Sequence, residues 1–269
     1  NYEKACAMAA QVICGEARRF QYLLESEQLT EFDKKAFLQL LQSNMNEAVL
    51  CSSLKVLSEL LEKHHRQKVI LLIDEYDVPL SKAFEREYYD QMVFLIRNLF
   101  EYALKTNDSL KFAVLTGCMR ISKESIFTGL NNLKVLSITE VQFDEYFGFT
   151  DHEVREMLDY YNLSQYYEQV KAWYDGYRFG NREVYCPWDV IHYCDALLTE
   201  PDAKPGNYWL NTSSNEAVKH FIEKSGNVGA RREIEKLIAG ETIVKEIHQE
   251  LTYKDMYQSI DNIWSVLYT

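Results

Sequence analysis

The sequence predicts an α/β fold in which helices cover a small parallel sheet, and three observations predict it. Residues 1–67 contain no proline and repeat apolar residues at three- and four-residue spacing, as helices do. Residues 68–74 then form a short, uninterrupted aliphatic run, which a strand buried on both faces requires. A helical pattern over 86–106 and a second aliphatic run over 110–116 follow. This alternation indicates parallel strands joined by a right-handed crossover.

The individual elements are expected in the following order. The N-terminal pattern predicts helices over about 2–26, 31–43 and 46–66, with Thr30 capping the second one. A third buried strand is expected over 133–139. A turn or hairpin is expected over 173–180, with Gly176 and Gly180 at its special backbone positions. Later helices are predicted over 151–161, 165–175, 188–199, 213–224, 230–239 and 259–268, and short strands over 208–210 and 242–247.

Composition excludes several function classes. The 29 lysines and arginines are outweighed by 41 aspartates and glutamates, a net charge of -12, which argues against non-specific binding to nucleic acid or an anionic membrane. The 6 cysteines form no CxxC pair, which favours a reduced, cytoplasmic chain. Because no apolar run approaches the 18 or so residues of a membrane span, no membrane insertion is expected.

The residues best suited to catalysis follow directly after the first aliphatic run. A buried parallel strand delivers its last residues to the carboxyl edge of the sheet, where ligands of open α/β sheets bind. There, Asp74 is expected to hold a phosphate-bound Mg²⁺ through water, and Glu75 to polarise an attacking water. This is the Walker B arrangement of ATP-hydrolysing proteins. The alternative is that two acids simply end a strand and face solvent.

The second aliphatic run ends in Thr116 and Gly117. Beside the acid pair, Thr116 can position the water or the γ-phosphate, and Arg120 can reach a phosphate or instead pair with an acid of the DEYD segment. Paired aromatic residues such as Tyr160–Tyr161 and Trp173–Tyr174 can stack nucleobases or pack helices, and the acidic surroundings favour packing.

Several motifs together resemble a known family. They are ILLIDEYD, FAVLTGCMRISKESIFTGLNNL, FGFTDHEV, WYDGYRFG, VYCPWDV and YWLNTSSNE, in this order from about residue 68 onward. The chain thereby resembles the bacterial AAA-ATPase-like family, whose longer members carry a PD-(D/E)XK nuclease-like domain at the C-terminus. The resemblance implies a P-loop NTPase-like (AAA-like) parallel sheet with ATP and Mg²⁺ as cofactors. It also implies three domains: a partial ATPase core over 1–149, a helical lid over 150–206 and a winged-helix-like module, truncated at its end, over 207–269.

One departure from the family limits what this chain is expected to do. The family carries a Walker A loop in an N-terminal segment, but no glycine here is followed by lysine, and GxxxxGK[ST] is absent. Without that loop, neither the backbone amides that cradle phosphates nor the lysine that neutralises them is supplied. The start without Met and the abrupt end favour a fragment that lacks the first strand and P-loop.

Three hypotheses follow from this sequence. The first is an ATPase in the intact protein, which can drive a linked nuclease-like domain, with weak or no hydrolysis by this chain alone. The second is a non-hydrolysing binding or regulatory module that holds nucleic acid or a protein client through 207–269. The third is an oligomerisation scaffold that forms a homo-oligomer.

Overall fold

The computed structural model describes residues 1–117, 125–127, 130, 133–209, 228–248, 251, 255 and 259–268. It is a mixed α/β structure with many helices and a small parallel sheet, as predicted. Two compact units divide the chain. The first comprises Asn1–Lys134 and Ile247–Val266, and the second comprises Val135–Glu246 and Leu267–Thr269.

The first unit begins with helices that pack around an aliphatic core. They are α1 (Tyr2–Arg18), a 3₁₀ turn (Gln21–Glu25), α2 (Glu31–Leu40) and α3 (Glu47–His65). The first helix ends earlier than predicted, because the chain tightens into the 3₁₀ turn and thereby buries Leu23 against Phe37. The predicted cap of α2 is confirmed: Thr30 and Asp33 form a reciprocal capping box.

The parallel sheet of the first unit joins β1 (Val69–Ile73) to β2 (Leu110–Leu115). The crossover between these strands contains α4 (Val78–Glu85), α5 (Tyr89–Phe100) and a π-helical turn (Glu101–Lys105). The sequence pattern missed α4, which begins with Pro79 in its first turn, where proline leaves no hydrogen bond unmade. The helix predicted over 86–106 is confirmed in type but begins at Tyr89.

The two faces of this strand pair differ. One face of β1 contacts α3, and its side chains are half-buried. The other face exposes four large apolar side chains, Ile70, Leu72, Phe112 and Val114. Leu72 keeps 75% of its surface accessible. Since parallel sheets are ordinarily covered on both faces, this open face is unusual for the strand type.

The third strand predicted over 133–139 is wrong. These residues form no strand, because local hydrogen bonds replace a ladder. The Ser137 hydroxyl lies 2.8 Å from the Thr139 hydroxyl, and the Glu140 N–H donates to the Ser137 carbonyl at 3.0 Å. The Ile138 carbonyl accepts instead from the Gly180 N–H at 2.7 Å.

The first part of the second unit combines a small antiparallel sheet with helices. Its elements are β3 (Phe149–Thr150), α6 (Asp151–Tyr160), a 3₁₀ turn (Ser164–Tyr166), α7 (Tyr167–Tyr174), β4 (Asp175–Phe179), β5 (Arg182–Tyr185) and α8 (Pro187–Thr199). The strand order is β3-β5-β4. The hairpin and the positive φ of Gly180, +51°, are confirmed, whereas Gly176 lies in β4 without a positive φ, so that its predicted special conformation is wrong. A buried, tyrosine-rich core holds the helices together.

The last described elements are α9 (Val228–Ile238) and α10 (Ile260–Tyr268), close to two predicted helices. The strand predicted over 242–247 is wrong. Its side chains alternate between half-buried and exposed, but no described strand pairs with it. Residues 208–209 form a bend instead of a strand, while residue 210 and the predicted helix 213–224 lie outside the described residues. Within the described ranges, no helix combines the length and apolarity that crossing a bilayer requires.

Candidate functional site at the carboxyl edge of the parallel strands

The ends of β1 and β2 are held side by side by backbone hydrogen bonds that continue past both strands. The Thr116 N–H donates to the Ile73 carbonyl at 2.9 Å, and the Tyr76 N–H donates to the Thr116 carbonyl at 3.0 Å. Because parallel strands end at the same edge, the residues that follow them meet there. Asp74 and Thr116 are therefore neighbours although they are far apart in sequence.

Asp74 and Thr116 also interact through their side chains. The Thr116 hydroxyl Oγ1 donates a hydrogen bond to Oδ1 of Asp74. Asp74 is exposed and Thr116 is half-buried. In the part of the chain that is described, this is the only hydrogen bond of the Asp74 side chain, so its Oδ2 remains able to accept one from water. The contact fixes the carboxylate in one orientation at the edge of the sheet.

Glu75 adopts a strained backbone conformation directly beside this pair. Its φ is +53°, in the left-handed region that costs a residue with a side chain roughly 1–2 kcal/mol. Its carbonyl accepts from the Val78 N–H at 3.2 Å, which closes the turn into α4. The side chain is exposed and, among the described residues, makes no hydrogen bond or ion pair. A strained residue with an uncommitted carboxylate is typical of a functional position.

Asp77 and Gly117 lie close together next to the site residues. The sequence pattern did not assign either of them to the site. Asp77 is only 3% exposed, and it precedes α4. A methyl group added to Gly117 would lie 2.8 Å from Oδ1 of Asp77 and 2.8 Å from Cε1 of Tyr76. The Tyr76 ring packs edge-on against Phe127, with ring centroids 5.4 Å apart. Two features of the sequence could have indicated this contact: the second aspartate of DEYD and the glycine that follows β2.

Of the predicted site residues, the structure brings Asp74, Glu75 and Thr116 together. Arg120 lies outside the described residues. No group of three or more His, Cys, Asp or Glu side chains in the described ranges forms a metal cage. A single carboxylate with one oxygen left for water nevertheless fits Mg²⁺, which keeps most of its water shell and commonly uses one or two protein carboxylates beside phosphate oxygens.

Comparisons with known proteins show what this part of the chain is similar to. Residues 10–127 match the model of the family described as "Predicted AAA-ATPase". An uncharacterized protein of the vnfD 5' region of Azotobacter chroococcum mcd 1 is 29% identical over 160 residues, which are 58% of this chain and 30% of the relative. The chain thus spans about a third of the length of that relative. No solved structure matches the chain.

The family match and the site coincide in sequence. The matched segment contains both strands of the parallel sheet and all three of the residues that the structure brings together at its edge. Residues 10–127 of the chain are therefore similar to the family described as "Predicted AAA-ATPase".

Proposed function

We propose that this chain is part of an AAA-like ATPase whose intact form binds and hydrolyses Mg-ATP at the edge where β1 and β2 end. The observation that carries the proposal is the contact between Asp74 and the Thr116 hydroxyl, with Glu75 beside it in a strained backbone conformation. ATP hydrolysis needs little covalent chemistry from the protein. Its main requirements are positioning and electrostatic stabilisation, which fixed side chains at a sheet edge can supply.

Asp74 is the residue that would hold Mg²⁺, through a water that donates to its Oδ2. When bound with ATP, Mg²⁺ neutralises the charge of the phosphates. The Thr116 hydroxyl orients the carboxylate by donating to its other oxygen. Arg120 follows β2 in sequence, and we assign it the neutralisation of phosphate charge.

Glu75 is the residue that would accept a hydrogen bond from the attacking water. A general base needs an accessible carboxylate that no ion pair occupies. The exposed Glu75 side chain has both properties among the described residues. Its left-handed backbone, with its carbonyl bonded to the Val78 N–H, turns the chain at the sheet edge.

The open face of the sheet supports a larger P-loop core than this chain provides. Ile70, Leu72, Phe112 and Val114 present an apolar surface that a P-loop-type fold would cover with further strands and helices. We therefore extend the proposal to a P-loop fold that is completed by sequence upstream. For the whole protein, we also propose a winged-helix-like module over 207–269 and coupling of the ATPase to a nuclease-like domain.

A second candidate function is a binding or regulatory module that does not hydrolyse ATP. The absence of any Gly-Lys pair favours it, because the phosphate cradle and its lysine are then not supplied by this chain. Both candidates predict weak or no ATP hydrolysis by these 269 residues alone.

Calorimetry with Mg-ATP separates the two candidates. The chain and a version extended upstream in its gene are titrated side by side. Binding by the extended version alone supports the ATPase, whereas absence of binding by both supports the binding module. Mg-dependent turnover by the present chain would contradict the prediction that it is inactive.

The role of Glu75 is tested in the extended protein by Glu75→Gln. Loss of the carboxylate is expected to lower kcat by about 100-fold or more while nucleotide binding is retained, since a general base commonly contributes that much. Glu87→Gln is the matched control, because Glu87 is also exposed and has a φ of +61°. If both variants keep full activity, Glu75 is not the base.

A further inference from the structure

The second unit carries an exposed aromatic surface that the proposed ATPase site does not use. We define the acid–aromatic surface by Trp188, Asp189, His192, Tyr208 and Trp209. Three of these residues lie near the start of α8. There the His192 Nδ1–H donates to the Trp188 carbonyl at 2.8 Å, and the two rings stack with centroids 4.2 Å apart and an interplanar angle of 31°. Two aromatic rings are therefore fixed in place one helical turn apart.

The chain after α8 returns to complete this surface. The Trp209 N–H donates to Oδ1 of Asp189 at 2.8 Å, and this bond brings the Trp209 ring edge-on to Trp188, with centroids 5.9 Å apart. Tyr208 lies beside His192, with centroids 5.8 Å apart. Although their neighbours fix both indoles, Trp188 and Trp209 remain 43% and 48% exposed. Large aromatic side chains held rigidly at the surface are typical of interaction sites.

The stretch of chain that carries this surface is acidic, which bears on what the surface can bind. Residues 135–209 contain 14 aspartates and glutamates but only 5 lysines and arginines. Such an excess repels phosphate groups, so nucleic acid is disfavoured even though aromatic rings can stack bases. A second copy of a chain with a net charge of -12 is disfavoured for the same reason. A cationic partner matches both the charge and the exposed ring faces.

The same unit already binds an arginine in this way. The guanidinium carbon of Arg155 lies 3.6 Å from the centre of the Tyr167 ring, and its Nε donates to Asp151 at 2.8 Å. An arginine is thus held between an aromatic face and a carboxylate. Trp188, Trp209 and Asp189 offer the same combination at the surface, with indole rings that attract cations more strongly than a tyrosine ring.

We propose that the acid–aromatic surface binds an arginine-containing, basic segment of a partner protein. The planar guanidinium stacks on an exposed indole, and the carboxylate of Asp189 together with the acidic excess of residues 135–209 attracts the remaining positive charge. The proposal does not depend on nucleotide, so that it stands or fails separately from the ATPase proposal.

The test uses tryptophan fluorescence and calorimetry of the full chain with a short arginine-rich peptide as the probe. Trp188→Ala and Trp209→Ala are each expected to weaken binding by about threefold to thirtyfold, the range of a cation–π contact. Trp173→Ala is the control, because Trp173 is also exposed, at 54%, and lies in α7 of the same unit. Trp188→Phe, which keeps a ring, is expected to restore part of the affinity.

Two further measurements keep the proposal falsifiable if an alanine variant fails to fold. Asp189→Asn keeps an oxygen for the Trp209 N–H and is expected to weaken peptide binding because it removes the charge. A lysine peptide of equal length is expected to bind more weakly than the arginine peptide. Equal weakening by Trp173→Ala, tighter binding of an oligonucleotide or an acidic peptide, or self-association with no peptide binding would each overturn the proposal.

Discussion

Single residues at the end of β1 differ sharply in their surroundings. Glu75 is exposed and strained, while Asp77, two positions later, is buried beside Gly117. The proximity of Asp74, Glu75 and Thr116 could be predicted from the sequence, because all three follow aliphatic runs that form neighbouring parallel strands. The burial of Asp77 was not predictable, because it depends on the close approach of Gly117 from a strand that is remote in sequence.

Gly117→Ala is expected to lower the free energy of unfolding by about 1–3 kcal/mol, the usual cost of overpacking. The added methyl group must displace the Asp77 carboxylate or the Tyr76 ring, each 2.8 Å away. Urea denaturation measures the change. Gly15→Ala in α1 is the control: its methyl group meets nothing within 4 Å, and we expect a gain of roughly 1 kcal/mol from helix propensity. Equal effects at the two glycines would contradict the close contact.

At the level of elements, local signals were reliable and non-local ones were not. The cap at Thr30 predicted where α2 begins, because its capping box is complete within four consecutive residues. The strands predicted over 133–139 and 242–247 failed, because an aliphatic run becomes a strand only when a partner strand lies beside it. In 133–139, the carbonyls of Ser137 and Ile138 already accept hydrogen bonds from Glu140 and Gly180, and the Ser137 hydroxyl contacts the Thr139 hydroxyl. These carbonyls are therefore not available to a partner strand.

The first residue of α6 makes the stability of the second unit sensitive to acid. The Tyr167 hydroxyl, Arg155 and the Tyr185 hydroxyl hold the pKa of Asp151 well below its usual range, against a smaller opposing effect of burial. Because the folded pKa lies below the unfolded value of about 4, the ionised carboxylate stabilises the fold above that pH. This stability is lost as the pH falls through and below 4.

Thermal unfolding between pH 7 and 3 measures this effect. Asp151→Asn is expected to lower Tm at neutral pH and to make Tm less dependent on pH than in the unmodified chain. Asp175→Asn is the control of opposite sign, since burial and the charge of Glu183 raise the pKa of Asp175. Its Tm is expected to exceed that of the unmodified chain at neutral pH, with the difference shrinking on acidification. Parallel pH profiles for the three proteins would contradict both assignments.

For the whole molecule, the open face of the β1–β2 pair is the feature that composition could not predict. Both aliphatic runs indicated strands buried on both sides, yet Ile70 and Leu72 of β1 are exposed on one side. An aliphatic run predicts that a strand is buried but does not identify the elements that cover it. It carries no information on whether the covering elements lie within these residues.

Leu72→Thr tests that explanation, because it removes apolar surface while introducing a β-branched residue that suits a strand. In the present chain, the free energy of unfolding is expected to change by no more than about 0.5 kcal/mol, as at other exposed positions. In the version extended upstream, the loss is expected to be about 2 kcal/mol or more, since Leu72 is then buried. Leu80→Thr, at a fully buried position of α4, is expected to destabilise both versions. A large effect of Leu72→Thr in the present chain would contradict the open face.

The parallel register of β1 and β2 also has a consequence for biosynthesis. Residue 69 pairs with residue 110, so the aliphatic segment Val69–Ile73 leaves the ribosome well before its partner strand has been made. At about 5–20 residues per second, this nascent segment stays unpaired for a few seconds, during which apolar strands are prone to aggregate. The strand that delivers Asp74 to the site is therefore also a segment of the newborn chain that a chaperone can protect.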